Sequence, residues 1–202
     1  MRGFFLLLLL SACTTIQREQ PAEAYRRQVE VHAESAETVL VATVNPPEHG
    51  RGVFGRTWEK HSLRAHLNER SHKTRYELLE AISYVAPQPR HFSSAWIDTP
   101  AGAQPLPMKT IREATDCGQY RSGTICTQIQ FVTVDVNEDL LRAVARQNVP
   151  GRSWHAEFRD EQGDSYVVQT PIAEVNGLLE AVDDQTTHVK VHPPRPGSLA
   201  PR

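Results

Sequence analysis

Nine histidines in 202 residues are the first side chains to weigh, because imidazole titrates near neutral pH and is a common metal ligand. Their spacing argues against a metal. His61 and His91 have no carboxylate at ligand spacing, His66 falls in a predicted strand, and His72 falls in the turn after it. His188 and His192 flank Val189-Lys190-Val191 and would share one face of an extended segment, where Lys190 would repel a cation. A structural zinc site takes four ligands at recognisable spacing, and none is visible. Asp98, two residues after Trp96, and the pair Asp183-Asp184 are the carboxylates that acid–base chemistry would use, yet acids at strand and helix ends more often cap or face solvent. No nucleophile elbow, zinc-protease helix, P-loop or dinucleotide fingerprint occurs. The expectation is a non-catalytic protein with no metal and no cofactor; an enzyme whose site follows no recognised pattern stays open as the alternative.

The three cysteines carry the remaining chemistry. The chain starts Met1-Arg2-Gly3-Phe4-Phe5 and runs through five leucines to Leu10, bounded by Ser11 and Ala12, which is the layout of a signal peptide. A membrane-spanning helix needs about 20 apolar residues, and the polar run Thr14-Thr15-Ile16-Gln17-Arg18-Glu19 comes too early for one. Leu10-Ser11-Ala12-Cys13 resembles the lipobox of bacterial lipoproteins. That resemblance implies cleavage before Cys13, acylation of the cysteine with diacylglycerol and palmitate, and attachment to a membrane by two or three chains at ~0.8 kcal/mol per buried CH₂. The alternative is a secretory signal with an incidental cysteine. Thr14, standing where an Asp would otherwise follow the cysteine, resembles lipoproteins sorted to the outer membrane of Gram-negative bacteria, so a periplasm-facing outer-membrane protein is expected. In such an oxidising compartment Cys117 and Cys126 are expected to pair, closing a short loop worth roughly 2–3 kcal/mol. The rival, a metal or redox pair, lacks the close Cys-x-x-Cys spacing.

Removing the first twelve residues takes away Arg2, which leaves 21 basic against 24 acidic residues, net −3. Nucleic acid binding needs a positive footprint, so no nucleic acid partner is expected. The domain plan is a signal peptide over 1–12, a lipidated N-terminus and flexible tether over 13–27, one β-rich domain over 28–183, and a disordered Pro-rich tail over 184–202. Period-two alternation places strands near 29–31 and 39–44. It also places a hairpin with arms 63–67 and 74–85, putting Tyr76, Leu78, Ile82 and Tyr84 on one face, then a strand over 91–97 and a second hairpin with arms 108–117 and 124–136. Residues 125–136 are apolar on both faces at their end, as a central strand would be. The period then changes: Asn137 caps a helix with Leu140, Leu141, Val144 and Ala145 as its stripe, strands follow at 154–158 and 166–170, and a second helix opens at Pro171 with Ile172, Val175, Leu178, Leu179 and Val182 inward.

Trp58, Tyr76, Tyr84, Phe92, Trp96, Trp154 and Phe158 are expected mainly in the core. The exception is the glycine-rich stretch Gly50–Trp58, whose Phe54 and Trp58 make it a candidate docking loop. A polyproline ligand at Pro193-Pro194-Arg195-Pro196 is a weaker idea than a plain terminus. The order of these features is lipobox, strand pair, Tyr-bearing hairpin, Trp96 strand, two-cysteine hairpin, Phe131–Leu141 and Asp164–Ile172. It resembles a family of proteobacterial envelope lipoproteins with a small β-rich domain, over roughly residues 28–183. The resemblance implies location and fold and no catalytic residue. The fold expected is α+β, a mostly antiparallel sheet or small sandwich with two short helices behind a lipoprotein signal peptide. The function expected is a non-catalytic envelope module, with the membrane and a candidate envelope protein as partners. A periplasmic enzyme or a carrier of a small hydrophobic ligand is the alternative.

Overall fold

The computed structural model describes residues 21–44, 49–51, 57–59, 61–120, 123–147 and 152–191. Cys13, the expected lipidation residue, lies outside them. The chain is mostly antiparallel β-sheet with three helices among the described residues. Strands β1 (Glu30–Ala33), β2 (Thr38–Ala42), β5 (His61–Asn68), β6 (Lys73–Val85), β9 (Met108–Tyr120) and β10 (Gly123–Val136) form one sheet in the order β1-β2-β5-β6-β10-β9. Strands β7 (Phe92–Thr99), β8 (Gly102–Leu106), β11 (Ser153–Asp160) and β12 (Ser165–Pro171) form a second in the order β12-β11-β7-β8. Strands β3 (His49–Arg51) and β4 (Thr57–Glu59) pair as a small hairpin.

Alternation sets which side of each strand is inward. Leu63, Leu78, Ile82, Val132 and Val134 of the first sheet and Ala95, Ile97, Ala156 and Phe158 of the second share one core. The opposite face of the first sheet buries a smaller cluster of Ala81, Ile129 and Phe131, with the Arg112 guanidinium 4.3 Å from the Phe131 ring centroid. β10 is thus apolar on both faces and lies inside its sheet, as its sequence predicts. Pro107 alone separates β8 from β9, so the chain passes from one sheet to the other at a residue with fixed φ and no N–H to donate.

The sheets are also joined by a side chain that imitates a peptide group. The Phe92 N–H donates to Gln130 Oε1 at 3.0 Å, and Gln130 Nε2 donates to the Phe92 carbonyl at 2.9 Å and to Thr110 Oγ1 at 2.8 Å. A buried amide at an inward position, with its donors and acceptor used, costs little and fixes where β7 crosses β10. Cys117 and Cys126 stand directly opposite each other on β9 and β10 and are joined as a disulfide, as expected.

Helix α2 (Glu138–Ala145) begins where Asn137 Oδ1 accepts the Leu140 N–H at 2.7 Å, and it buries Leu141, Val144 and Ala145. Helix α3 (Ile172–Val191) packs Val175, Leu178 and Val182 into the core. It corrects two expectations. The backbone is helical through Val191, so the tail does not start at 184, and residue 188 is not in an extended segment. The expected flexible tether is also too long, because its last six residues form helix α1 (Ala22–Arg27), which lies on α3. Gly177 makes that contact: a Cβ there would sit 2.8 Å from Tyr25 Cβ and 2.9 Å from the Ala22 carbonyl oxygen. Arg26 closes it with ion pairs to Asp184 and Glu180.

Candidate binding site

Three polar constellations stand out, and their differences decide which of them can bind anything. The first is internal. Glu80 occupies the inward position between Leu78 and Ile82, directly across from His61. Its carboxylate meets His61 Nδ1 at 2.9 Å, while His61 Nε2 lies 3.3 Å from Thr170 Oγ1 and 3.7 Å from Glu174 Oε1. Thr43 Oγ1 donates to Glu174 at 2.6 Å and accepts the Leu63 N–H at 2.9 Å, and Ser62 Oγ donates to the Thr43 carbonyl at 2.8 Å. His61, Glu80 and Glu174 are 5, 2 and 0% exposed. Both imidazole nitrogens face partners and the group is closed to solvent. Its geometry therefore makes it a joint between β2, β5, β6, β12 and α3, and it offers no nitrogen to a substrate. Sequence spacing gave His61 no carboxylate; the fold supplies two, from 19 and 113 residues away.

The second constellation lies on the opposite face of β5. His66 Nδ1 meets Glu34 at 2.8 Å, and Nε2 faces Glu77 Oε1 at 3.1 Å, an ionic contact without hydrogen-bond alignment. Arg75 bridges Glu77 at 2.9 Å and Asp135 at 2.8 Å. The Glu77 carboxylate is the main influence holding His66 above its ordinary value, against partial burial, with Glu34 adding to it. His66 in turn holds Glu77 below the usual carboxylate range. His66, Glu34 and Arg75 border an open pocket of ≈ 470 Å³, but their charges are already engaged with one another and with Glu77 and Asp135.

The third is an open pocket of ≈ 700 Å³ where the ends of β7, β11 and β12 meet α2 and the start of α3. Cross-strand register brings Asp98 beside His155, Oδ2 to Nδ1 at 3.2 Å, with both side chains about half exposed. The neighbouring Trp154 is 4% exposed and donates its indole N–H to the Asp98 carbonyl at 2.8 Å. Arg152, Gln147 and Gln169 complete the polar wall, and among the described residues none of the three has a side-chain partner. Val144 and Ile172 lie beneath it, almost fully buried. The pocket is concave and of small-molecule size, open to solvent and lined mainly by polar groups. Asp98 was legible as a candidate carboxylate, whereas its partner His155 and the pocket depend on strand register and were not.

The other sequence candidates fall elsewhere. Asp183 pairs with Arg142 at 2.8 Å and Asp184 with Arg26, so the acidic pair ties α2 and α1 to α3. His91 meets Glu113 at 3.2 Å on the surface, and His72 lies in the β5–β6 turn with φ of 54°. Among the described residues no group of three or more ligand-type side chains is placed to hold a metal. Tyr76, Phe92, Trp154 and Phe158 are core residues. Of the candidate docking loop, Phe54 lies outside the described residues, and Trp58 is placed by its backbone alone, opposite Gly50 in the β3–β4 hairpin. No protein-family model, no curated protein and no solved structure matches this chain, so its functional reading comes from this geometry and its sequence.

Proposed function

We propose that the chain is an envelope lipoprotein, held by acyl groups on Cys13 at the periplasmic side of an outer membrane, whose β-rich domain is a non-catalytic binding module. The binding half of this reading is carried by one observation: a ≈ 700 Å³ pocket lined by Arg152, Gln147 and Gln169, whose side chains have no partner among the described residues. The anchoring half rests on Leu10-Ser11-Ala12-Cys13 and agrees with a disulfide between Cys117 and Cys126. A carrier of a hydrophobic ligand is favoured less, because the space between the sheets is filled by Phe158, Ile97, Leu78 and Leu63. An enzyme is the second reading, favoured by Asp98 holding His155 in the way that orients a general base.

Palmitate labelling and fractionation of wild type beside Cys13→Ala tests the anchor. Label and membrane association are expected in the first and lost in the second; an unlabelled wild type sinks the anchoring claim. A photo-crosslinking residue at Gln169 tests the module, with one at exposed Val85 as the control. Discrete adducts from position 169 alone are expected, and equal patterns from both positions would remove the pocket from the reading.

A further inference from the structure

We infer that the pocket beside Asp98 and His155 binds the free carboxylate end of a short peptide, an inference that rests on the binding-module reading above. The charges come first. Asp98 is the one carboxylate on the wall and it is engaged by His155, while Arg152 has no ion pair among the described residues. Among the described residues the pocket therefore keeps one uncompensated guanidinium, whose planar fork of N–H groups matches a carboxylate through two parallel hydrogen bonds. The size of the site comes next. A carboxylate alone would leave most of ≈ 700 Å³ empty, so the ligand extends beyond it.

The neighbouring groups say what the rest of the ligand is. Gln147, just past the end of α2, and Gln169, in β12, each offer an NH₂ donor and a carbonyl acceptor with no side chain among the described residues competing for them. That pairing is the complement of a peptide group, which presents one acceptor and one donor. An acidic sugar is the poorer fit, since the one aromatic residue at the site, Trp154, is 4% exposed and offers no ring face for stacking.

The test uses the full-length lipidated chain in detergent, titrated with trialanine as the free acid and as its C-terminal amide. The reporter is the indole N–H resonance of Trp154, assigned with Trp154→Phe. The free acid is expected to shift that resonance to saturation and the amide to bind roughly tenfold more weakly or worse, the worth of one charge-assisted pair. Arg152→Gln, a change at an exposed side chain, should erase the difference between the two peptides with spectral dispersion unchanged. Gln169→Ala should weaken both by a few-fold. Equal binding of acid and amide, no shift up to ~10 mM, or competition by galacturonate at the same concentration as trialanine would each overturn the inference. If trialanine fails while crosslinks from position 169 persist, the ligand class falls and the binding module stands. If the crosslinks are absent as well, both fall.

Discussion

On the two faces of β5, five residues apart, His61 and His66 each stand between two carboxylates, one of them contributed by β6. The chemistry is the same and the surroundings are opposite. His61 is walled in with Glu80 and Glu174, whereas His66 sits near the hairpin tip with Glu34, Glu77 and Arg75 and has water at its edge. A buried group of this kind adds little net stability while intact and costs much when one member is removed, because the charges left behind have no water to turn to. Around His66 the histidine and Glu77 are 11 and 9% exposed, but Glu34 and Arg75 open the group to solvent, so it is cheaper to break and more sensitive to pH. The pocket at Asp98 differs from both in that Arg152, Gln147 and Gln169 have no side-chain partner among the described residues, which is why it is proposed as the binding site.

The most severe way to break the comparison is His61→Ala. It strands the Glu80 carboxylate in the core and should cost about 3–5 kcal/mol, a large part of a domain's stability. The measurement is the denaturant midpoint at unchanged slope. A loss under about 1 kcal/mol would mean that the pair is not buried as described. The double change His61→Leu with Glu80→Leu sharpens the point. It places apolar groups beside Leu63, Leu78 and Ile82 and leaves Glu174 bonded to Thr43, so it should recover most of the loss.

That internal joint also marks what could and could not be read from the residues. The inward row of β6 was visible as Tyr76, Leu78, Ile82 and Tyr84, and the position skipped in it is Glu80. A carboxylate at a core position is a signal that a partner must exist, but nothing local says that it is His61 across the hairpin or that Glu174 closes the group. The Asn137 cap, the Cys117–Cys126 pair and the interior place of β10 were legible because each follows from neighbours in sequence or from local alternation. Helix α1 was not. Six residues after Pro21 show no sustained period, and what holds them is Gly177 on α3, about 150 residues away. The end of α3 was missed for a related reason. From Gln185 to His188 its residues are polar, as in a tail, yet Thr186 and Thr187 return hydrogen bonds to the carbonyls one turn back and the helix continues.

The His66 group, open to solvent on its Glu34 and Arg75 side, should respond less to mutation and more to pH. His66→Gln is expected to cost about 1–2 kcal/mol near pH 6. His66 is held above its ordinary 6.5, so its contribution is complete below 6.5 and is lost as pH rises through the higher folded value. Glu77 is held below its ordinary 4.5, so its contribution is complete above 4.5 and is lost as pH falls through the lower folded value. Both are in force between those limits. Denaturation of wild type and His66→Gln from pH 4 to 9 should give curves that converge toward the alkaline end. Curves that stay parallel across that range would show that the ionised His66 is not what the carboxylates hold.

The smallest effect separates the two carboxylates around His66. Glu34 is nearer, 2.8 Å against 3.1 Å for Glu77, but its side chain is 44% exposed against 9%. In water the attraction at such distances is mostly screened, and holding a long exposed side chain costs entropy, so Glu34→Gln should change stability by about 0.5 kcal/mol or less. The pKa of His66, followed by its ring resonances, should fall slightly in Glu34→Gln and further in Glu77→Gln, because burial and not distance decides which carboxylate matters more. The reverse order would mean that the β1–β2 turn carrying Glu34 shields the histidine from solvent, making the two faces of β5 more alike than their exposures indicate.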